Sequence, residues 1–348
     1  MPSNRLYGRP TVATIAKKAK VSTSTVSRAL KGDRRISEQT RASVAAIARQ
    51  LGYLPNANAR SLVTRRSGLI GFVMGDVHNP FYPEMLERLV HQAAARGLRL
   101  MVLHVGREPL QISTIETLLQ YQMDGCIITS AELTSKAADI CRRHALPLVV
   151  MNRVPRTHSC AVSCNNEAGG RLLGELLVAA GHRRIAMIAG APNTSTSRDR
   201  EAGATTALAR HGLRPFARLE GGSTYEGGFA AGQELTRSGQ PPDAIFAIND
   251  IMALGVLDAL REDGVLVPED ISVVGFDDIR AASWAGYSLT TVAQPVDAMI
   301  CRALDLLEAR ITDPEAPGEN AYIIGELRIR TSAKLADELP ALEGCGFV

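Results

Sequence analysis

Apolar positions along the chain change their period near residue 67. Between Thr11 and Leu62 they recur every three or four residues, the spacing of short amphipathic helices. Val12, Ile15, Ala16 and Ala19 predict a first helix, closed by a turn at Lys20 and Val21. Ser22, whose hydroxyl can accept from a free backbone N–H at a helix start, opens a second in "STSTVSRAL". There Val26, Ala29 and Leu30 point inward, while Thr23, Ser24, Ser27 and Arg28 fall on the open face. A third helix is predicted after Ser37, with Val44, Ile47, Ala48 and Leu51 as its apolar row. Two short helices at a tight turn, braced by a third, make a helix-turn-helix.

From Leu69 onward, short apolar runs alternate with helical stretches. "LIGFVM", "LRLMVLHV", "DGCIITS", "LPLVVMN", "RRIAMIAG", "DAIFAIN", "ISVVGFDD" and "LTTVAQP" predict strands, and "AYIIGELRIRTS" reads as one final strand. The stretches between them predict helices; in "PEMLERLVHQAAARG" the inward residues are Met85, Leu89 and Val90. Buried apolar strands separated by helices imply parallel sheets covered on both faces. Two such sets imply an α/β body of two doubly wound subdomains behind an all-α head. The glycines of "GGRLLG" fall within a predicted helix and suit close packing on one of its faces.

Charge sharpens this division. Residues 1–66 hold fourteen Lys and Arg against only Asp33 and Glu38, a charge of +12, whereas the remainder carries −9. A basic head whose charges interleave with helix caps and buried apolar residues is the electrostatic footprint of a phosphate-backbone reader. In the body, ligands of parallel sheets sit beyond the carboxyl ends of the strands. The polar residues at such ends are those of "DVHNPFYP", Asn152, Arg198, Arg200, Asn249, Asp250, Asp277 and Asp278. Acceptors, amides and guanidinium forks of this kind suit a hydroxyl-rich molecule.

The head stretch "TVATIAKKAKVSTSTVSRAL", followed by "ISEQTR", "LGYLPNANARSL" and "NPFYPEML", resembles the lactose-repressor (LacI/GalR) family of bacterial transcription regulators. The resemblance runs from about Thr11 to Ser332. It implies a helix-turn-helix head at 1–54, a hinge helix and linker at 55–66, and an effector-binding and dimerisation domain at 67–340 of the periplasmic-binding-protein type I kind. One lobe would hold residues 67–163 and 294–323, the other 164–293 and 324–340, with a flexible tail at 341–348. Thr23, Ser24 and Arg28 would then reach base edges in the major groove of a palindromic operator. Ser22, Ser27 and nearby basic residues such as Arg35 would hold phosphates. The hinge, with Asn56, would order on DNA, and Leu62 would wedge into the minor groove. Phe81, Tyr82, Asn152, Arg200, Asn249 and Asp277 match the family's effector-contacting positions. The implied partners are double-stranded DNA, a small effector (a sugar or a sugar acid) and a second copy of the chain.

Two departures from the family pattern matter. Lys20 stands where the family usually has Gly, so a side chain must bear the turn's backbone angles. Ser223 stands where a large aromatic is common, leaving Tyr225 or Trp284 as candidate stacking platforms, while His78, His104 and Arg153 add donors or charge near the cleft.

Other classes fit poorly. No GxGxxG follows the first strand, no GxxxxGK[ST] loop and no GxSxG elbow occur, and His182 lies at the wrong end of its strand for catalysis. No enzyme activity and no cofactor are expected. His158, Cys160 and Cys164, or Cys141 and His144, lack paired metal-ligand spacing, so no metal is expected, and Cys126 and Cys301 read as small core residues. No apolar run is long enough to span a membrane, and residues 1–10 are polar, so a cytoplasmic location is expected. A secreted solute-binding protein would share the body, but the basic head argues against it.

Overall fold

The computed structural model describes residues 10–54, 66–106, 110–129, 133–155, 160–192 and 194–336. The chain forms two compact units, residues 1–67 and 68–348.

In the first unit, α1 (Val12–Ala19), α2 (Thr23–Leu30) and α3 (Glu38–Gln50) each begin at a hydroxyl cap. Thr11, Ser22 and Ser37 accept from the backbone N–H groups of Thr14, Thr25 and Thr40, filling donors a helix start leaves open. One face of each helix meets the others through Ile15, Ala16, Val26, Ala29, Val44 and Ala48. Leu30 is only half-buried at the margin of this small core.

The second unit has two six-stranded sheets. The strands of the first lobe are β1 (Leu69–Met74), β2 (Arg99–His104), β3 (Gly125–Thr129), β4 (Leu148–Met151), β5 (Ala161–Cys164) and β11 (Asn320–Ile323), ordered β11-β5-β4-β3-β1-β2 and all parallel. Those of the second are β6 (Ile185–Ala189), β7 (Ala217–Glu220), β8 (Ala244–Ala247), β9 (Ser272–Asp277), β10 (Thr290–Ala293) and β12 (Glu326–Arg328). Their order is β12-β10-β9-β8-β6-β7, with β12 the antiparallel edge. Both lobes thus share one doubly wound order, and most strands are buried along their whole length, as sheets covered on both faces require.

The chain passes between the lobes after β5, after β10 and between β11 and β12. The predicted single final strand is therefore two, broken at Gly325, one in each sheet. A Cβ on Gly325 would lie 2.8 Å from the Ala293 carbonyl oxygen, so the adjacent crossing strands touch at backbone distance. β5 and β7 had no apolar run to announce them. β5 is four short residues between polar neighbours, and β7 is a half-exposed edge.

Three expected orientations differ. Val90 is 44% exposed, because α4 (Phe81–Ala95) turns Phe81, Met85, Leu89 and Ala93 inward at four-residue spacing, with Tyr82 buried beside Phe81 in its first turn. Cys301 lies exposed on α11 (Val296–Thr312), near the Arg96 guanidinium, while Cys126 is buried as expected. His104 Nε2 donates to the Gly75 carbonyl, which holds it off the cleft. His182 is buried beside Asp243, at 3.5 Å, and burial lowers its pKa.

α7 (Asn166–Ala179) and α8 (Ser195–Arg210) meet at backbone distance. A Cβ on Gly170 would sit 2.1 Å from the Arg200 carbonyl oxygen, and one on Gly203 would sit 2.0 Å from that of Glu167. Only hydrogen fits at either place, so Gly170 of "GGRLLG" and Gly203 of the facing helix together allow the contact.

Lys20 caps α1 with left-handed angles, φ 53° and ψ 41°, its N–H bonding to the Ala16 carbonyl. That conformation costs a side-chain-bearing residue roughly 1–2 kcal/mol, against about 0.5–1 kcal/mol of chain entropy for glycine. Lys20→Gly is therefore expected to stabilise the head by about 0.5–1 kcal/mol, read as slower amide exchange in α1 and α2 of the intact chain. Unchanged or faster exchange would show that the turn holds no strain.

Candidate functional site

A cavity of about 200 Å³ lies between the two lobes, at the carboxyl ends of the strands. Its first-lobe wall comes from the β1–α4 loop and the end of β4, and its second-lobe wall from the ends of β6, β7, β8 and β9. Both sheets have the strand order that leaves a crevice at this edge, which explains why polar loop residues collect here. Phe81, Tyr82, Asn152, Arg200, Asn249 and Asp277 all line it.

Arg200 organises the second-lobe wall. It is 3% exposed and pairs with Asp277 at 2.9 Å. Its Nε donates to Asn166 Oδ1 at 2.8 Å and its Nη1 to the Ile248 carbonyl at 2.7 Å. The guanidinium lies 3.8 Å over the Phe276 ring, a cation–π contact. The close approach of α7 to α8 at Gly170 brings Asn166 within reach.

Asp277 closes β9 with φ 128°, and Asp278 follows at φ 55°, so two consecutive non-glycine residues hold positive angles. Such strain persists where surrounding contacts over-determine it. Gln294, on the second crossing between lobes, donates to Asp277 Oδ1 at 2.7 Å, leaving Oδ2 for the cavity. Burial pushes the Asp277 pKa up, with Arg200 pulling against it. Asn249 caps α10 (Asp250–Glu262), its Oδ1 accepting from the Met252 N–H at 3.1 Å.

On the first-lobe side, Phe81 and Tyr82 pack edge to face at 5.4 Å. Asn152 adopts φ 66° and donates to the Tyr82 hydroxyl at 3.4 Å, while its own Oδ1 is buried with no partner. Burial raises the Tyr82 pKa, so the phenol stays protonated. The lobes touch beside the cavity, where the Val154 N–H bonds to Ser195 Oγ at 3.0 Å and the Arg280 N–H to Glu84 Oε1 at 3.1 Å.

Other candidates lie elsewhere. Asp250 is fully buried below the cavity, accepting from Thr291 Oγ1 at 2.6 Å and the Ile279 N–H at 3.0 Å. Asp278 pairs with Arg330 at 2.6 Å, and Arg198 pairs with Asp199 on the surface. Neither candidate platform reaches the cavity: Tyr225 donates to Asp258, and Trp284 is exposed. Cys160 and Cys164 lie buried at the two ends of the β5 segment, and His158 is outside the described residues. Among the lining residues that sequence reasoning missed are Thr194, Thr196 and Gly222; nothing local marks them. Asn166 was missed too, because its role depends on a residue 34 positions away.

In the head, Thr23, Ser24 and Arg28 are exposed on the open face of α2 and Ser27 is half-buried. Ser22 is engaged as the α2 cap. Arg35 pairs with Asp33 at 2.7 Å, and that guanidinium holds the Asp33 pKa down to about 2. Asn56 and Leu62 lie outside the described residues.

Comparison with known proteins places this arrangement. Residues 11–56 match the model of bacterial regulatory proteins of the lacI family, and residues 175–333 match the periplasmic binding protein-like domain. The chain is 35% identical to the ribose operon repressor of Escherichia coli (strain K12) over 328 residues, 93% of this chain and 99% of that one. It belongs to the LacI family. The HTH-type transcriptional repressor PurR of Haemophilus influenzae (strain PittEE) is 32% identical over 93% of this chain and 98% of its own length. A crystal structure of the lac repressor dimer bound to operator and the anti-inducer ONPF superposes with a TM-score of 0.84 at 29% identity, covering 92% of this chain and 98% of that chain. As a LacI-family member, the chain is a DNA-binding transcriptional repressor with an α/β body of two parallel-sheet lobes. Among the described residues, no helix is long and apolar enough to cross a membrane.

Burial, and after it the charge of Asp277, pushes the Asp250 pKa up to about 7. A carboxyl whose folded pKa lies above its unfolded value contributes stability below the unfolded value, and loses it as pH rises through the folded one. The body is therefore expected to lose stability between about pH 4 and pH 7 from this group, and Asp250→Asn to flatten that slope in denaturant titrations. An unchanged slope would mean that Asp250 is ionised throughout.

Proposed function

We propose that this LacI-family repressor binds a palindromic operator as a homodimer, and that a small polyhydroxylated molecule between its lobes sets that affinity. The observation that carries the ligand half is the Arg200–Asp277 pair, buried yet bordering the cavity. Asn249 and Asp277 would take ligand hydroxyls, Arg200 would donate, Asn152 would add an amide, and Phe81 and Tyr82 would cover one face. Support comes from the relatives: one is a ribose operon repressor, and another is a lac repressor dimer bound to operator and the anti-inducer ONPF.

For the DNA half, the exposed Thr23, Ser24 and Arg28 are suited to base edges, and Ser22, Ser27 and Arg35 to phosphates. The segment containing Asn56 and Leu62 would form the hinge, with Leu62 the minor-groove wedge, as the family resemblance implies. The domain limits are those set out above, residues 1–54, 55–66 and 67–340, and a chromosomal target puts the protein in the cytoplasm. Ligand binding would change how the lobes meet and so the hinge equilibrium, a coupling of typically 1–3 kcal/mol, or roughly 5- to 150-fold in affinity. Whether the ligand releases the protein from DNA or recruits it depends on which lobe arrangement it binds better.

Arg28→Ala is expected to weaken binding to the operator by roughly 5- to 150-fold, the worth of one base contact, and binding to random duplex far less, by fluorescence anisotropy at fixed salt. Equal loss on both would make Arg28 a phosphate contact. Asp277→Ala is expected to abolish the ligand-dependent change in operator Kd, and a normal response would place the ligand elsewhere.

A further inference from the structure

Resting on that ligand reading, we infer that the ligand is a small sugar acid, and that Arg153 is the residue selecting its carboxylate over the neutral sugar. Arg153 follows the end of β4 and lines the cavity next to Asn152. Its backbone is set on both sides, by the left-handed Asn152 and by the bond from Val154 to Ser195 across the lobes.

Two arginines, Arg153 and Arg200, share the lining with two carboxylates, Asp76 and Asp277, so pairing rather than net charge decides the case. Arg200 is compensated by Asp277 at 2.9 Å, so that pair is neutral overall. Among the described residues, no carboxylate pairs with Arg153, and its Nε is shielded from solvent without a hydrogen-bond partner. The neighbouring Asn152 Oδ1 is in the same condition. A donor and an acceptor left open on neighbouring lining residues suit a ligand that presents an acceptor to Arg153 and a hydroxyl to Asn152. Arg153 is half-buried, and the part of a guanidinium drawn out of water is costly unless paired, a cost of which a neutral hydroxyl returns little. A carboxylate returns it through charge-assisted, two-pronged bonds.

Size and shape narrow the class. About 200 Å³ is below the roughly 300–1,000 Å³ of sites for drug-sized ligands. It suits a single sugar-sized molecule. Ser223 accepts from the Ala191 N–H at 3.0 Å and offers no stacking surface, so recognition falls to polar groups. A phosphate would bring a charge of about −1.5 to −2 to a wall whose two arginines are already matched in number by Asp76 and Asp277. One carboxylate matches it better.

The test uses the intact chain, with thermal unfolding and titration calorimetry on matched probes. D-Gluconate and D-glucuronate are compared with D-glucose, D-galactonate and D-galacturonate with D-galactose, and D-ribonate with D-ribose. Glucose 6-phosphate and ribose 5-phosphate form a separate arm. At least one acid is expected to bind more than tenfold tighter than its neutral parent. Arg153→Gln should cut that preference by roughly 10- to 150-fold, the worth of a hydrogen bond to a charged group, and Arg153→Lys should retain part of it. A neutral sugar that binds as well as its acid overturns the inference, as does an acid preference unchanged in Arg153→Gln or binding confined to the phosphates. If such a neutral sugar loses its binding in Asp277→Ala while that variant still shows the body's cooperative thermal transition, the ligand reading stands and only the acid falls. If no probe binds, or binding ignores both Arg153→Gln and Asp277→Ala, both readings fall.

Discussion

The buried pair of Arg200 and Asp277 sets most of what surrounds the cavity. A guanidinium at 3% exposure is tolerable only because it is paired with Asp277, hydrogen-bonded to Asn166 and the Ile248 carbonyl, and stacked on Phe276. Removing one partner from such a pair leaves an uncompensated charge and typically costs about 3–5 kcal/mol. That requirement reaches back into the fold. Asn166 is within range because α7 and α8 touch at Gly170 and Gly203, where any Cβ would collide with backbone. Close helix packing and the chemistry of the cleft are one constraint here.

The same pair is tied to the segments that join the lobes. Gln294, which bonds Asp277, lies on the second crossing, and Arg330, which bonds Asp278, lies just beyond the third. The two aspartates hold positive φ angles between these anchors. Packed, strained elements of this kind move between discrete arrangements rather than bending smoothly. A molecule that touches Asp277 therefore acts on residues at the hinge, not only on a pocket wall. This gives ligand contact a short physical route to lobe geometry.

Much of this was legible beforehand. The three head helices, the Ser22 cap and most of their inward residues follow from signals within four residues of each other, and the structure has them at those places; the Thr11 and Ser37 caps came only with the structure. The alternation of apolar runs with helical stretches likewise announces two doubly wound lobes. The six cavity residues named from the family resemblance do line one cavity. Less legible were β7, whose alternating half-exposed edge has no apolar run, and the split of the last strand at Gly325. Val90 misled because i, i+4 and i+5 are all near one helix face, and only the neighbouring sheet selects among them.

Local order along the chain was thus written in the sequence, since periodicity, capping and turn chemistry act between near neighbours. Burial of Asp250, exposure of Cys301 and the engagement of Tyr225 with Asp258 depend on elements far apart in the chain. So does the contrast between two arginines of one cleft: Arg200 is satisfied by residues up to 77 positions away, and Arg153, among the described residues, by none. Which charge is paired, and which is left for a ligand, is a property of assembled surfaces, because electrostatic partners are chosen by distance in space.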